Sequence, residues 1–335
     1  MVTADSAPTM LAAVAARTDA QHPVGALELQ QVPRPRVADL PAHWTVVDVH
    51  AAALNHHDLW ALRGVGLGQD QLPMVLGCDA AGTTPDGREV VVHGVIGGEG
   101  HGVGPQERRS ILSERYPGTL AEQVAVPTWN LVPKPAELTF VEAACLPTAW
   151  LTAYRMLFTS ARLSPGDRVL VQGVGGGVAS AAITLAAAAG LEVVATSRDA
   201  TKRARALQMG AGHAVEPGQR LPFRVDAVIE TVGAATWDHS MRSVRPGGVV
   251  VVAGATTGDA APMGLQRLFF TEVTVMGATM GSRADLEALV RMCVTTGLRP
   301  VVDSTFDLAD APQAMARLAS GEHVGKVVCT VPHRT

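Results

Sequence analysis

The rhythm of hydrophobic and polar positions changes near Phe140. Before it, short apolar or alternating runs are separated by glycine, proline and polar turns. Residues 11–16 and 27–32 read as strands, and 44–50 alternates as a half-buried strand does. Residues 76–82, 89–93 and 119–127 add further strand pieces, and a short helix or turn is expected from Asn55. Many short strands with glycine turns predict a small, partly open β-barrel. After Phe140, strands alternate with helices. Residues 141–160 are helical in composition, with a break expected at Pro147. Strands are expected at 169–172, 192–196, 213–215, 225–230, 249–253 and 273–277, and helices at 178–189, 200–209, 237–244 and 283–296. This alternation predicts an α/β class with a doubly wound, mostly parallel sheet covered on both faces. The tail, 301–331, reads as strand, helix (308–319) and strand, and is expected to return to the first domain. The domain expectation is therefore 1–140, 141–298 and 299–335.

The stretch around which the second half is organised is Gln172-Gly173-Val174-Gly175-Gly176-Gly177-Val178-Ala179, between a β-branched run and an alanine-rich one. The dinucleotide fingerprint is G-x-G-x-x-G/A after a strand. Gly173-x-Gly175 opens it, and Gly173-x-x-Gly176-x-x-Ala179 is a variant spacing over the same residues. The backbone of Gly173, Gly175, Gly176, Gly177 and Val178 is thus a candidate pyrophosphate cradle at a helix N-terminus. A turn that serves only packing is the alternative for such a pattern alone. The ordered arrival of strand, turn, helix and second strand favours the nucleotide.

An NAD site places Asp or Glu at the carboxyl end of the second strand. Here that end is Thr196-Ser197-Arg198, with Lys202 one turn into the next helix, while Glu192 sits at the strand's start. Ser197, Arg198 and Lys202 therefore suit a ribose 2′-phosphate, and the expected cofactor is NADP(H). The alternative is that the two cations are merely solvated.

Composition sharpens this only in places. A chain of 335 residues, 47% of them apolar, is long enough for two cores. A net charge of −4 argues against nucleic-acid or anionic-membrane partners, and no apolar run is long enough to span a bilayer. Asp5 and Arg17 break any leader pattern, and residues 1–9 read as a loose extension. Cys78, Cys145, Cys293 and Cys329 show no C-x-x-C spacing, so buried free thiols in a reducing cytoplasm are expected.

Several words along the chain carry a resemblance: Ala52-Ala53-Leu54-Asn55-x-x-Asp58, Gly77-x-Asp79-x-Ala-Gly82, Gly118-Thr-Leu-Ala-Glu122, Leu146-Pro147-x-Ala-x-x-Thr152-Ala153-Tyr154, the glycine turn, Leu207-x-x-Gly-Ala211 and Gly325-Lys326-Val-Val. The chain resembles the medium-chain dehydrogenase/reductase superfamily, nearest its zinc-independent quinone oxidoreductase branch. The resemblance implies a GroES-like β-barrel domain, a Rossmann domain and a cleft between them. The catalytic-zinc ligands of zinc-dependent relatives fall on Asn55, Cys78 and Thr148, a poor set for zinc. The segment matching their structural-zinc loop, 94–118, has no cysteine, and His93, Glu99 and His101 lack ligand spacing. No metal is expected. His56 matches a position facing the pyrophosphate, and Thr152 and Tyr154 resemble residues lining the cofactor cleft. Val232-Gly233 and Gly254-Ala255 end two strands where the nicotinamide should lie.

The implied activity is NADPH-dependent, zinc-independent hydride transfer to a quinone or an α,β-unsaturated carbonyl. An alcohol dehydrogenase-like enzyme and a non-catalytic NADPH-binding protein are the alternatives. The catalytic candidates are His57, Asn55 and Cys78. Asp58 and Asp79 read as carboxylates that bond turn backbones. Related enoyl reductases carry a Tyr or Lys shortly after the Asn-x-x-Asp word, where this chain offers only Arg63. The expected partners are a small-molecule substrate and a second copy, joined as a homodimer through the Rossmann sheet edge at 249–253 and 273–277.

Overall fold

The computed structural model describes residues 8–97 and 109–332. Residues 1–7, most of the extension expected at the N-terminus, lie outside that range, as do Glu99 and His101. The chain forms two compact units. The first takes residues up to Thr148 together with Ser282–Val290 and the segment from Val302 onward, and the second takes Ala149–Gly281 and Arg291–Val301.

The first unit contains a three-stranded sheet, in the order Leu27–Pro33, Thr9–Ala15, Met74–Val75. Its seven-stranded sheet runs Leu131–Pro133, Glu89–Val92, Ala80–Thr83, Trp44–Ala53, Lys326–Thr330, Val302–Asp307, with Gln123–Pro127 also paired to Trp44–Ala53. The tail thus returns to the first unit. Two registers fix where the polar residues of this unit converge. Ala53 faces Val328 and Ala52 faces Ala80, both antiparallel. The end of the Trp44–Ala53 strand therefore meets the starts of its two neighbours, which brings Asn55, Asp79 and Lys326 to one place. Leu54, Leu62, Leu76, Leu112 and Leu120 fill the core beside it.

The second unit carries a six-stranded, wholly parallel sheet in the order His213–Val215, Glu192–Thr196, Arg168–Val171, Val225–Glu230, Val244–Val252, Thr274–Gly277. This is the doubly wound arrangement, and its order reverses between Arg168–Val171 and Val225–Glu230, where such sheets bind ligands at strand carboxyl ends.

Several expectations are refined or corrected. The break expected at Pro147 is present, but as a change of helix type and not as a loop: the α-helix stops at Ala144. Phe140–Ala144 and Leu151–Tyr154 are α-helical, and Leu146–Trp150 and Arg155–Ser160 are widened π-type turns. A widened turn absorbs the N–H that Pro147 lacks. The helix expected to reach Val244 ends at Ser243, and the next strand begins at Val244 instead of Val249. Its Arg245-Pro-Gly-Gly248 segment stays in the strand through a register shift against Val225–Ala227, held by Arg245 Nε donating to Asp226 Oδ1 at 2.6 Å. The tail helix starts at Ala311, after a 3-10 turn at Leu308–Asp310.

Candidate active site

The first unit buries a polar cluster at the strand junction. Asn55 precedes the His56–Leu62 helix, and its own N–H donates to Asp58 Oδ2 at 2.8 Å. Gly77 N–H donates to Asp58 Oδ1 at 3.0 Å. Burial raises the Asp58 carboxyl above its ordinary value, against the opposing pull of His57 and these N–H groups. Gly77 has φ +94°, and a Cβ there would lie 2.6 Å from Thr119 Oγ1, so only glycine lets the turn approach this closely.

The Asn55 side chain faces inward. Its Nδ2 donates to Asp79 Oδ2 at 2.9 Å and Ala53 O at 3.2 Å, with Cys78 Sγ at 3.6 Å. Its Oδ1 accepts from Lys326 Nζ at 2.5 Å, and the same ammonium donates to Leu54 O at 2.8 Å and Asp79 Oδ2 at 3.0 Å. Lys326 and Asp79 are a fully buried ion pair, with side chains 2% and 0% exposed. Asp79 therefore does more than bond a turn. Its Oδ1 is buried with no hydrogen-bond partner among the described residues. Cys78 Sγ lies 3.4 Å from Thr148 Oγ1. Burial, and then the Asp79 and Asp58 charges, push the Cys78 thiol well above its ordinary value, so it is neutral.

The three positions that zinc ligands occupy in zinc-dependent relatives do meet here. They do so as an amide, a neutral thiol and a hydroxyl, with an ammonium hydrogen-bonded to the amide. That set does not fit zinc, which takes thiolate, imidazole or carboxylate and is repelled by a neighbouring cation. Among the described residues no group of three or more His, Cys, Asp and Glu side chains could hold a metal ion.

His57 stands apart from this cluster. Its side chain is 20% exposed, and its Nε2, 3.9 Å from Glu114 Oε1, has no hydrogen-bond partner among the described residues. His56 remains exposed, yet partial desolvation, followed by the Arg63 and Lys326 cations, lowers its pKa. The His56 and His323 rings lie 6.4 Å apart.

In the second unit, the glycine turn leads from the Arg168–Val171 strand into the Gly177–Ala188 helix. Gly173 (φ +80°) could not carry a Cβ, which would sit 2.5 Å from Val232 Cγ2. Gly175 has φ +130°. Gly176 opens the Gly177–Ala188 helix with no side-chain cap, leaving first-turn N–H groups for an anion. Val178 is half-buried in that turn, and Thr152 is buried in the Leu151–Tyr154 helix. Ala179 is 1% exposed, so the helix packs closely there.

A buried hydrogen-bond network sits beneath the strand ends. Gly173 N–H donates to Thr196 Oγ1 (3.2 Å), Thr196 Oγ1 to Gln172 Oε1 (2.7 Å), Gln172 Nε2 to Ser240 Oγ (2.9 Å) and Ser240 Oγ to Glu230 Oε2 (2.6 Å). Glu230 Oε1 accepts from Val232 N–H (2.8 Å) and Gly233 N–H (3.0 Å). Thr257 N–H donates to Val232 O, and a Cβ on Gly233 would meet Ala255 Cα at 2.8 Å, so the turns at Val232-Gly233 and Gly254-Ala255 interlock.

At the end of the Glu192–Thr196 strand, Ser197 is buried and Arg198 exposed, with Lys202 half-buried. The nearest carboxylate, Asp199, caps the Ala200–Gln208 helix by accepting from Thr201 N–H (2.7 Å) and Lys202 N–H (3.2 Å). Those bonds hold its pKa below the ordinary value. Glu192, at the other end of the strand, pairs with Arg168 at 2.6 Å. Sequence reasoning places Lys326 only within a motif, weighs Thr148 only as a metal ligand, and passes over Gln172, Glu230 and Glu114. No local pattern marks most of them: the Lys326 partners lie 247–272 positions away, Thr148 is 70 positions from Cys78, and Gln172 is 67 and 68 positions from His239 and Ser240.

A family model described as alcohol dehydrogenase GroES-like domain matches residues 41–136, and one described as zinc-binding dehydrogenase matches 177–295. A solved structure titled NAD-dependent alcohol dehydrogenase is 31% identical, with a TM-score of 0.86 over 96% of this chain and 100% of that one. The chain belongs to the medium-chain dehydrogenase/reductase superfamily. Among curated members, it is 33% identical over 300 residues to the spectinabilin polyketide synthase system protein NorB of Streptomyces orinoci, covering 85% of this chain but 13% of that protein's length. It is 28% identical over 327 residues to the acryloyl-coenzyme A reductase of Metallosphaera sedula, covering 90% of this chain and 96% of that one. Within this superfamily the two units correspond to the GroES-like and Rossmann-type folds.

Proposed function

We propose that the chain is an NADP(H)-dependent reductase that delivers hydride, without a bound metal, to a quinone or an α,β-unsaturated carbonyl compound. The observation that carries this reading is the Lys326 ammonium hydrogen-bonded to Asn55, beside a neutral Cys78 thiol, where a metal would need anionic ligands. A simple alcohol–ketone couple then loses its Lewis acid. A conjugated acceptor spreads incoming charge over its own π-system, so a hydrogen-bond donor suffices. The likeness to an acryloyl-coenzyme A reductase supports the conjugated class. The missing Tyr or Lys after the Asn55-x-x-Asp58 word argues against copying an enoyl-thioester mechanism residue for residue.

The bound reduced nicotinamide would supply hydride. The chain's own residues do the rest. The Gly173, Gly175, Gly176, Gly177 and Val178 backbone would hold the pyrophosphate, and Ser197, Arg198 and Lys202 would take the 2′-phosphate. The strand-end position itself carries Ser197 in place of a carboxylate, and Asp199, two residues on, caps the next helix through Oδ1. Thr152 and the turns at Val232-Gly233 and Gly254-Ala255 frame the nicotinamide half. His57, whose Nε2 has no hydrogen-bond partner among the described residues, is the group placed to pass a proton by way of water. Asn55 and Cys78, 7% and 0% exposed, act through electrostatics and not by touching substrate.

The test is a panel of benzoquinones, enones and enoyl thioesters with NADPH or NADH, alongside metal analysis of the purified protein. NADPH-linked reduction by metal-free protein is expected. Alcohol oxidation that depends on added zinc would overturn the reading, and so would equal use of NADH and NADPH for its cofactor part.

The homodimer belongs to the same proposal. The edge strand Thr274–Gly277 pairs on one side only, and Leu265, Phe269 and Phe270 nearby are 64–73% exposed. An apolar open edge of this kind is otherwise an aggregation hazard. A monomer by light scattering at micromolar concentration would exclude it. No described helix is long and apolar enough to cross a membrane, and the four buried free cysteines suit a reducing cytoplasm.

A further inference from the structure

The buried cluster of the first unit reaches Thr148. Lys326 Nζ uses its three N–H bonds on Leu54 O, Asn55 Oδ1 and Asp79 Oδ2. Because Asn55 Oδ1 is held by the ammonium, its Nδ2 is the donor, with Asp79 Oδ2 at 2.9 Å and Ala53 O at 3.2 Å nearest its two N–H groups and Cys78 Sγ a longer neighbour at 3.6 Å. The sulfur keeps its own proton, since burial and two nearby carboxylates oppose the thiolate. The one remaining polar neighbour of that S–H is Thr148 Oγ1 at 3.4 Å. Either atom of that pair can donate; with the Cys78 S–H as donor, Thr148 Oγ1 accepts and its own proton is left for a ligand.

Burial follows the same order. Lys326 (2%), Asp79 (0%), Cys78 (0%) and Asn55 (7%) are buried, while Thr148 is partly exposed. A row of polar groups in contact runs from a buried cation to a hydroxyl at the accessible end. In a low-dielectric interior hydrogen-bonded groups polarise one another, which strengthens a donor at the end of the row.

We propose that Thr148 is a catalytic residue whose Oγ1–H donates a hydrogen bond to the carbonyl oxygen of a conjugated substrate. This rests on the reductase reading. In the step it serves, hydride adds to the β-carbon and the C=C electron pair moves through the conjugated system onto the carbonyl oxygen. Thr148 stabilises the resulting enolate without surrendering its proton, and water protonates the α-carbon. A single donor to a developing oxyanion contributes about 10²–10³-fold in kcat. Thr148→Val, which keeps shape and removes the donor, is expected to lower kcat by roughly that factor with NADPH affinity unchanged. Thr148→Ser is expected to restore most of it.

A readout independent of turnover separates this role from a structural one. The probe is 4-(dimethylamino)cinnamaldehyde, a dye whose absorption moves to longer wavelength when its carbonyl accepts a strong hydrogen bond, mixed with protein and oxidised NADP. Wild type and Thr148→Ser should shift the dye, and Thr148→Val should bind it without the shift at an unchanged thermal midpoint. If Thr148→Val shifts the dye as wild type does, or keeps kcat within about threefold, the assignment is overturned and the reductase reading stands. If wild type reduces no conjugated acceptor, that reading fails, while the dye still reports whether Thr148 donates.

Discussion

Replacing Lys326 by methionine removes a buried cation while roughly keeping its volume. Asp79 would be left at 0% exposure without its ion-pair partner, and its Oδ1 already has no hydrogen-bond partner among the described residues. Breaking a buried pair from one side costs about 3–5 kcal/mol. Asn55 Oδ1 and Leu54 O also lose a donor each. An unsatisfied buried acceptor costs about 1–3 kcal/mol, partly recovered by side-chain rotation, so the expected loss lies near the top of the range, about 4–5 kcal/mol. The assay is urea unfolding followed by tryptophan fluorescence, run on wild type, Lys326→Met, Asp79→Leu and the double variant. The double variant should be more stable than either single one, because an apolar pair of similar size carries no orphaned charge, and the cycle should show coupling of at least about 2 kcal/mol. A Lys326→Met cost below about 1 kcal/mol, or strictly additive single effects, would refute the claim that the ammonium is held by this pair.

Three further outcomes are expected. Arg198→Ala combined with Lys202→Ala should weaken NADPH binding by roughly tenfold or more and leave NADH unchanged, as one lost charge-assisted bond requires; fluorescence titration with both cofactors checks it. Gly173→Ala would place a Cβ 2.5 Å from Val232 Cγ2 at φ +80°, so it should cost about 1–3 kcal/mol of backbone strain and displace the cradle, read as lost NADPH affinity together with a lower thermal midpoint. Burial pushes the Asp303 carboxyl up, but the Arg317 fork (two contacts of 3.0 Å), Val324 N–H and the Ser304 hydroxyl outweigh it and bring it from 3.8 to about 2. A depressed folded-state pKa stabilises above the unfolded value, so this contribution is complete above about pH 4 and is lost as pH falls toward 2; Asp303→Asn should flatten acid unfolding in that window.

The parts of the fold that were legible are those written in local periodicity. Val225–Glu230, Glu192–Thr196 and Arg283–Thr296 run where their apolar patterns place them, because each buries a continuous face at its own period. The break at Pro147 was legible as well, since a proline cannot continue the α-helical hydrogen bonding. The Arg245-Pro-Gly-Gly248 segment misleads, because its local breakers are accommodated by a bulge braced by Asp226. The glycine turn was legible since glycine at positive φ is a local requirement, and Ser197 stands at the strand end where the sequence puts it; that these residues hold a phosphate is part of the proposal.

The buried cluster divides differently. The resemblance carried by the sequence places Asn55 and Thr148 where zinc-dependent relatives have ligands, and the metal-free reading is proposed on that basis. Only the tertiary structure decided what stands there instead. Lys326 comes from the last strand and Asp79 from the first third of the chain, and they meet because Val328 pairs with Ala53 and Ala80 with Ala52. A lysine side chain is ordinarily solvated, and nothing within its own neighbourhood in sequence marks it as buried. Its burial follows from sheet register, which is set by the sum of many apolar contacts over the whole unit and has no local signature.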